Sequence, residues 1–182
     1  MQNLRDLEEK EIESWVLAKH FPRYRAEQIY RWVQEKDAED YQSMANLPAE
    51  LRKSLSEEFS IAFPKLYRRY TSKLDETEKF LFELSDGHRI ESVFMAYHHG
   101  NTACISTQVG CKMGCAFCAS TLSGLARNCS SGEMVGQIAA IEKYTGKKIS
   151  NVVLMGSGEP LDNYDEVLRF IRIISGKIGR NL

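Results

Sequence analysis

Three cysteines fall within eight residues, Cys111, Cys115 and Cys118 in Gly110-CKMGCAFC-Ala119. Thiolates of this kind hold iron–sulfur clusters, and a cubane normally takes four of them. Three would leave one iron with an open position for an outside ligand. Zinc is the competing reading, because Cys3His is an accepted zinc set and His98, His99 and Cys129 offer a fourth ligand. The usual zinc pattern, however, places a second close pair of ligands at a distance from the first, and no such pair stands here. A disulfide framework fits less well. The five cysteines crowd between 104 and 129, and the acidic start MQNLRDLEEKEIESW is unlike a secretory or transit peptide.

A second motif, Met155-Gly156-Ser157-Gly158-Glu159-Pro160, follows about forty residues later. Glycines allow a backbone to approach a ligand closely, and a carboxylate beside them can accept a hydrogen bond from an ammonium group. Alone, a glycine-rich turn is usually only a turn. After a three-cysteine loop it gains weight.

These residues need elements to hold them. Leu7, Ile12, Trp15 and Val16 recur at helical spacing up to His20-Phe21-Pro22, and Ala26, Ile29, Trp32 and Val33 share one face of a helix predicted over 25–35. A third helix is expected after Asn46-Leu47-Pro48, carrying Leu51, Leu55 and Phe59. From Phe80 the period shortens, and 79–84 and 89–97 read as a hairpin about Ser85-Asp86-Gly87-His88. A strand over 101–107 delivers the chain into the cysteines. A helix over 132–144, capped by Ser130 or Ser131, leads to the apolar run 151–156, and a last helix is expected from Tyr164 to about Ile174. The expected fold class is α/β: a helical accessory domain over 1–75, a β-hairpin region over 76–100, and over 101–182 the first β/α units of an incomplete barrel. In such folds functional groups sit in loops leaving the carboxyl ends of strands, where both motifs lie. Two β/α units cannot close a barrel, so the chain reads as the amino-terminal part of something longer.

Composition adds limits. The 182 residues are 43% hydrophobic and 27% charged, with a net charge of −1 and a mean hydropathy of −0.38. No apolar run reaches the length of a membrane span, and free thiols suit a reducing cytoplasm. Near-neutral charge means that any RNA contact must come from a local patch. The run Lys65-Leu66-Tyr67-Arg68-Arg69-Tyr70 is the best candidate, although a solvated surface explains most of the other basic residues.

The cysteine segment resembles the radical S-adenosylmethionine (SAM) enzymes. The wider context, Ile90-Glu91-Ser92-Val93, then His99-GNTACISTQVGCKMGCAFCASTLSGLARN-Cys129, then LMGSGEPLDNYDEV, is similar to the dual-specificity RNA methyltransferases, as is Tyr24-RAEQIYR-Trp32. The resemblance runs to about Ile174 and covers roughly the first half of a typical member. It implies a radical SAM partial barrel, methylation of adenine C2 in 23S rRNA and certain tRNAs, and an electron donor such as flavodoxin or ferredoxin. Cys111, Cys115 and Cys118 would hold a 4Fe–4S cluster. Gly158 and Glu159 would contact SAM, Ser157 standing where many members have Met. Glu91 would accept the adenine ring proton. The Cys104 thiolate would release product by attacking a methyl-carrying cysteine and forming a disulfide. That cysteine belongs to the family's carboxyl-terminal segment, so residues 1–182 are not expected to complete the reaction. Cys129 matches no functional position and reads as structural. Two alternatives stay open: adenine-C8 methylation by the same architecture, and a non-enzymatic, zinc-holding module that associates with RNA.

Overall fold

A computed structural model describes residues 1–180 and 182. The first sixty residues form a helical unit of α1 (Glu9–Ala18), α2 (Tyr24–Gln34) and α3 (Ala49–Glu58). A two-residue strand β1 (Gln2–Asn3) runs parallel to β2 (Phe59–Ser60), tying the start of the unit to its end. The apolar positions that set the helical period, among them Ile12, Val16, Ile29, Val33, Leu51 and Leu55, are its buried core. Trp15 and Trp32 lie at the margin of that core, each donating its indole N–H to a surface partner, Glu58 and Asn46.

The remainder is built on a five-stranded sheet of β3 (Lys65–Thr71), β4 (Glu78–Glu83), β5 (Arg89–Tyr97), β6 (Gly100–Cys104) and, after a ribbon of β7 (Gln108–Gly110) with β8 (Leu125–Asn128), β9 (Asn151–Val153). Its order is β3-β4-β5-β6-β9, antiparallel except for the parallel pair β6 and β9. Two helices, α4 (Ser131–Thr145) and α5 (Tyr164–Ile174), supply the covering layer. Phe80, Phe82, Ile90, Phe94 and Ile105 pack with Met134, Val135, Ile138, Val167 and Phe170 in one core. Strand residues alternate faces, so Leu81, Glu91, Val93 and Cys104 leave the opposite face, where each is half-buried or exposed.

Boundaries of α4 follow from its ends. Ser130 accepts from the Glu133 amide while the Glu133 carboxylate accepts from the Ser130 amide, a capping box. Gly146 ends the helix at φ 69°. Several elements differ from the expectation: the strand expected over 101–107 ends at Cys104, and Phe59, expected on the third helix, lies in β2. Residues 65–71, which fall within the helical domain expected over 1–75, form β3, hydrogen-bonded to β4 across residue 75. As an edge strand open on one face, β3 carries so many polar and aromatic residues that its alternation is hidden; Leu66 alone of its apolar side chains packs against the core. The strand expected over 151–156 ends at Val153, and its backbone continues as a loop. Among the described residues, no helix is long and apolar enough to cross a membrane.

Candidate cluster and cofactor site

Past the end of β6 the chain runs beside the loop that follows β9, and the two backbones are laced together. Ile105 N–H donates to Val153 O at 3.0 Å, Gly156 N–H to Ile105 O at 3.1 Å, and Thr107 N–H to Ser157 O at 3.0 Å. Approach this close leaves no room for side chains. A Cβ at Gly156 would stand 2.7 Å from the carbonyl of Ile105, and one at Gly158, whose φ is +105°, would stand 2.6 Å from the Gln108 side chain. The family resemblance gives Gly158 to SAM. In the structure, the first role of both glycines is to let one motif loop lie against the strand that delivers the other.

Buried polar side chains fix that contact. The Gln137 amide on α4 accepts from Ser92 Oγ and from the Ser106 amide, each at 2.8 Å, and donates to Ser106 O at 2.9 Å. Ser106 Oγ donates to the Glu91 carbonyl at 2.6 Å and accepts from the Ser157 amide at 2.9 Å. One hydroxyl thus joins the strand of Glu91 to the glycine loop. Gln108 reaches further: its Oε1 accepts from the Glu159 amide at 2.9 Å, while its Nε2 donates to Asn128 and Asp162. Asn163 donates to the carbonyls of Thr107 and Cys129. None of these five linking side chains (Ser92, Ser106, Gln108, Gln137, Asn163) stands out by spacing; the available signal is a polar cluster, Ser106-Thr107-Gln108, in an otherwise strand-like run.

Cysteine loop and glycine loop meet directly. Lys112 Nζ pairs with Asp162 Oδ1 at 2.8 Å, and the hydroxyls of Ser120 and Ser157 are 3.2 Å apart. The Lys112 and Gln108 hydrogen bonds hold the Asp162 carboxyl below its ordinary value. Cys111 is buried at the end of β7, its N–H donating to Gly124 O, and Cys118 N–H closes a turn onto Cys115 O. Cys115 is exposed and Cys118 half-buried. Arg127, on β8, donates to both oxygens of Glu133 and to Asp86 in the β4–β5 turn, pinning the ribbon that frames the loop. Its guanidinium keeps the Asp86 carboxyl well below the usual carboxylate range.

The three thiols share one turn, but their side chains are not gathered: among the described residues no three His, Cys, Asp or Glu groups converge as a metal-binding set. The donor chemistry nonetheless fits a three-thiolate cluster. Asp162, the carboxylate beside the loop, is already engaged by Lys112 and Gln108. Zinc finds little support, since His98 and His99 stand at the β5–β6 turn, at the end of β6 away from the cysteine loop. Cys129 is fully buried, and burial pushes its thiol up to about 12. Glu159 caps the turn Pro160–Asn163, one oxygen accepting from the Leu161 amide.

Glu91 and Cys104 share the open face. Val93 is the register partner of Cys104, and Glu91 lies two residues from Val93 on the same side of β5. Glu91 is half exposed and its Oε1 is 2.6 Å from Lys79 Nζ. Cys104 is half-buried, and burial raises its thiol pKa against a smaller opposing hydrogen bond from the Met155 backbone.

Known proteins share this fold. A crystal structure of a radical SAM methyltransferase from Sphaerobacter thermophilus superposes with a TM-score of 0.91 at 39% identity, over all of this chain and 54% of that one. The fold is therefore that of the amino-terminal half of a radical SAM methyltransferase. Proteins described as probable dual-specificity RNA methyltransferase RlmN from Clostridium botulinum (strains Alaska E43 / Type E3 and Eklund 17B / Type B) are 48% and 50% identical over all 182 residues, and the one from Clostridium tetani is 47% identical. Residues 2–61 match the family described as the ribosomal RNA large subunit methyltransferase N-terminal domain. Over its whole length the chain is similar to proteins described as RlmN, and it spans about half the length of the curated relatives it matches.

Proposed function

We propose that this chain provides the cluster, SAM and proton-transfer half of an enzyme that methylates the adenine C2 carbon of 23S rRNA and of certain tRNAs in the cytoplasm. The observation that carries the reading is the direct contact between the cysteine loop and the Gly-Glu-Pro loop beyond the parallel strands β6 and β9. Cys111, Cys115 and Cys118 would hold a 4Fe–4S cluster, and Gly158 and Glu159 would meet SAM. Held there, the cluster and SAM would supply one-electron chemistry, with the electron drawn from a flavodoxin- or ferredoxin-like donor. The free oxygen of Glu159 would accept from the ammonium of SAM, while its partner oxygen stays on the Leu161 amide. Glu91 would take the ring proton, and its ion pair with Lys79 orients it on that face. Cys104 would act as the thiol that frees the product, on the same face.

Anaerobic reconstitution with iron and sulfide, followed by electron paramagnetic resonance of the reduced protein, tests this. A cubane signal that changes on adding SAM is the expected result. Residues 1–182 alone should show it without methylating an RNA fragment, since the methyl-carrying cysteine implied by the family resemblance lies outside them. Zinc uptake, or a cubane indifferent to SAM, would count against the reading.

A further inference from the structure

The open face of the sheet carries a second pattern at its β3 edge. Register places Arg68 opposite Leu81 on β4 and Leu81 opposite Glu91 on β5. In the next row Tyr70 stands opposite Lys79, Lys79 opposite Val93, and Val93 opposite Cys104. The rows that carry the two reacting residues therefore extend across the sheet to an arginine and a tyrosine, with Glu91 two strand spacings, roughly 10 Å, from the strand of Arg68. Both tyrosines of this edge are half exposed, Tyr67 at 51% and Tyr70 at 48%. Each is paired with a guanidinium. Arg89 lies 3.6 Å from the centre of the Tyr67 ring, and Arg68 lies 5.8 Å from that of Tyr70 while donating to its hydroxyl at 3.2 Å. Glu83 and Glu91 are occupied by Arg89 and Lys79. Arg68 has no carboxylate partner among the described residues.

We propose that this edge is a stacking platform for unpaired bases of an RNA substrate beside its target adenine, with Tyr67 and Tyr70 stacking bases and Arg68 meeting phosphate. The proposal rests on reading Glu91 and Cys104 as the residues that react. Paired RNA is recognised mainly through its backbone, for which surface lysines suffice, whereas exposed rings braced by guanidinium groups are of use only to bases out of the helix. An enzyme that acts on a ring carbon must take its base out of the stack, and the neighbouring nucleotides then need a surface. Arginine held against a ring keeps that ring oriented and still offers donors at its edge.

Fluorescence anisotropy of the 182-residue chain with a short unpaired, adenine-containing RNA, and with its duplex, decides the matter. The double variant Tyr67→Ala/Tyr70→Ala should lose about tenfold or more in affinity for the unpaired strand and little for the duplex. Tyr67→Phe/Tyr70→Phe should bind like the parent, which separates ring stacking from misfolding. Arg68→Ala should lower the slope of log affinity against log salt by about one. Unchanged binding by the alanine pair, an equal loss for duplex, or slower reduction by a flavodoxin-like donor with RNA affinity intact would each overturn the platform. The same preparations are examined for the cubane signal. If cluster and SAM response are present while the tyrosines prove irrelevant, the platform fails and the proposed function stands. If unpaired RNA binds through the tyrosines in a protein that takes up no cluster, the platform is supported and the reading of the thiols fails.

Discussion

Cys104 illustrates how placement sets reactivity. The thiolate, not the thiol, is the nucleophile, and burial raises the pKa of Cys104 above its ordinary value. At neutral pH its thiolate fraction is therefore smaller than that of a free cysteine. Alkylation by iodoacetamide, followed residue by residue by mass spectrometry, should be slower at Cys104 than for a free thiol at about pH 8, and should still be climbing at about pH 10. Cys129, pushed up to about 12 and fully buried, should stay unmodified until the protein unfolds. A rate at Cys104 that levels off below pH 8 would contradict this, because it would require a stabilised thiolate. Sequence could name Cys104 through family resemblance, but its protonation is a property of the half-buried strand that carries it.

Gln137 and Ser106 carry the same lesson at the scale of elements. Gln137→Leu keeps the volume of the side chain but strips partners from Ser92 Oγ and from both backbone groups of Ser106, all buried. Buried polar groups left unpaired cost about 1–3 kcal/mol each, some of it recovered by relaxation, so a loss of about 2–4 kcal/mol is expected in urea unfolding. A loss below about 0.5 kcal/mol would mean that the polar knot contributes nothing. Helices are legible in the sequence because Ile12, Val16, Ile29 and Val33 repeat at the helical period, and the start of α4 because a serine, Ser130 or Ser131, stands before its apolar repeat. Strand β3 was not legible: its exposed arginines and tyrosines hide a period of two. Ribbon strands β7 and β8 are three and four residues long, too short to show any period. Of the candidate site, the cysteines and Glu159 stand in motifs that the sequence displays. The polar side chains that join the two loops could not, because they meet only once the sheet is assembled.

At the scale of the molecule, two hydrophobic cores are joined by a polar seam. Asp6 accepts from the Gly132 amide in the first turn of α4 at 2.7 Å, using a helix end where negative charge is favoured. Arg169 donates to the Asp6 carbonyl and to Glu11, Arg172 pairs with Glu8, and Arg180 bridges Asp37 to Glu142. Burial raises the Asp6 carboxyl pKa despite hydrogen bonds from Ser130 and Gly132. A group whose pKa is raised on folding favours the folded state most when protonated, so the contribution of Asp6 is greatest in acid and declines as pH rises through its folded value. Gly132 makes the seam possible: a Cβ there would stand 2.6 Å from Asp6 Oδ1 and 2.8 Å from its backbone nitrogen. Gly132→Ala should push the helical unit off α4 and cost about 1–3 kcal/mol, the scale of an overpacked contact. Because each unit keeps its own core, the expected signature in hydrogen exchange is faster exchange in α1–α3 while the inner amides of α4 and β5 hold their protection. Uniform acceleration across both units would show instead that they open as one cooperative body, with the seam part of a single fold.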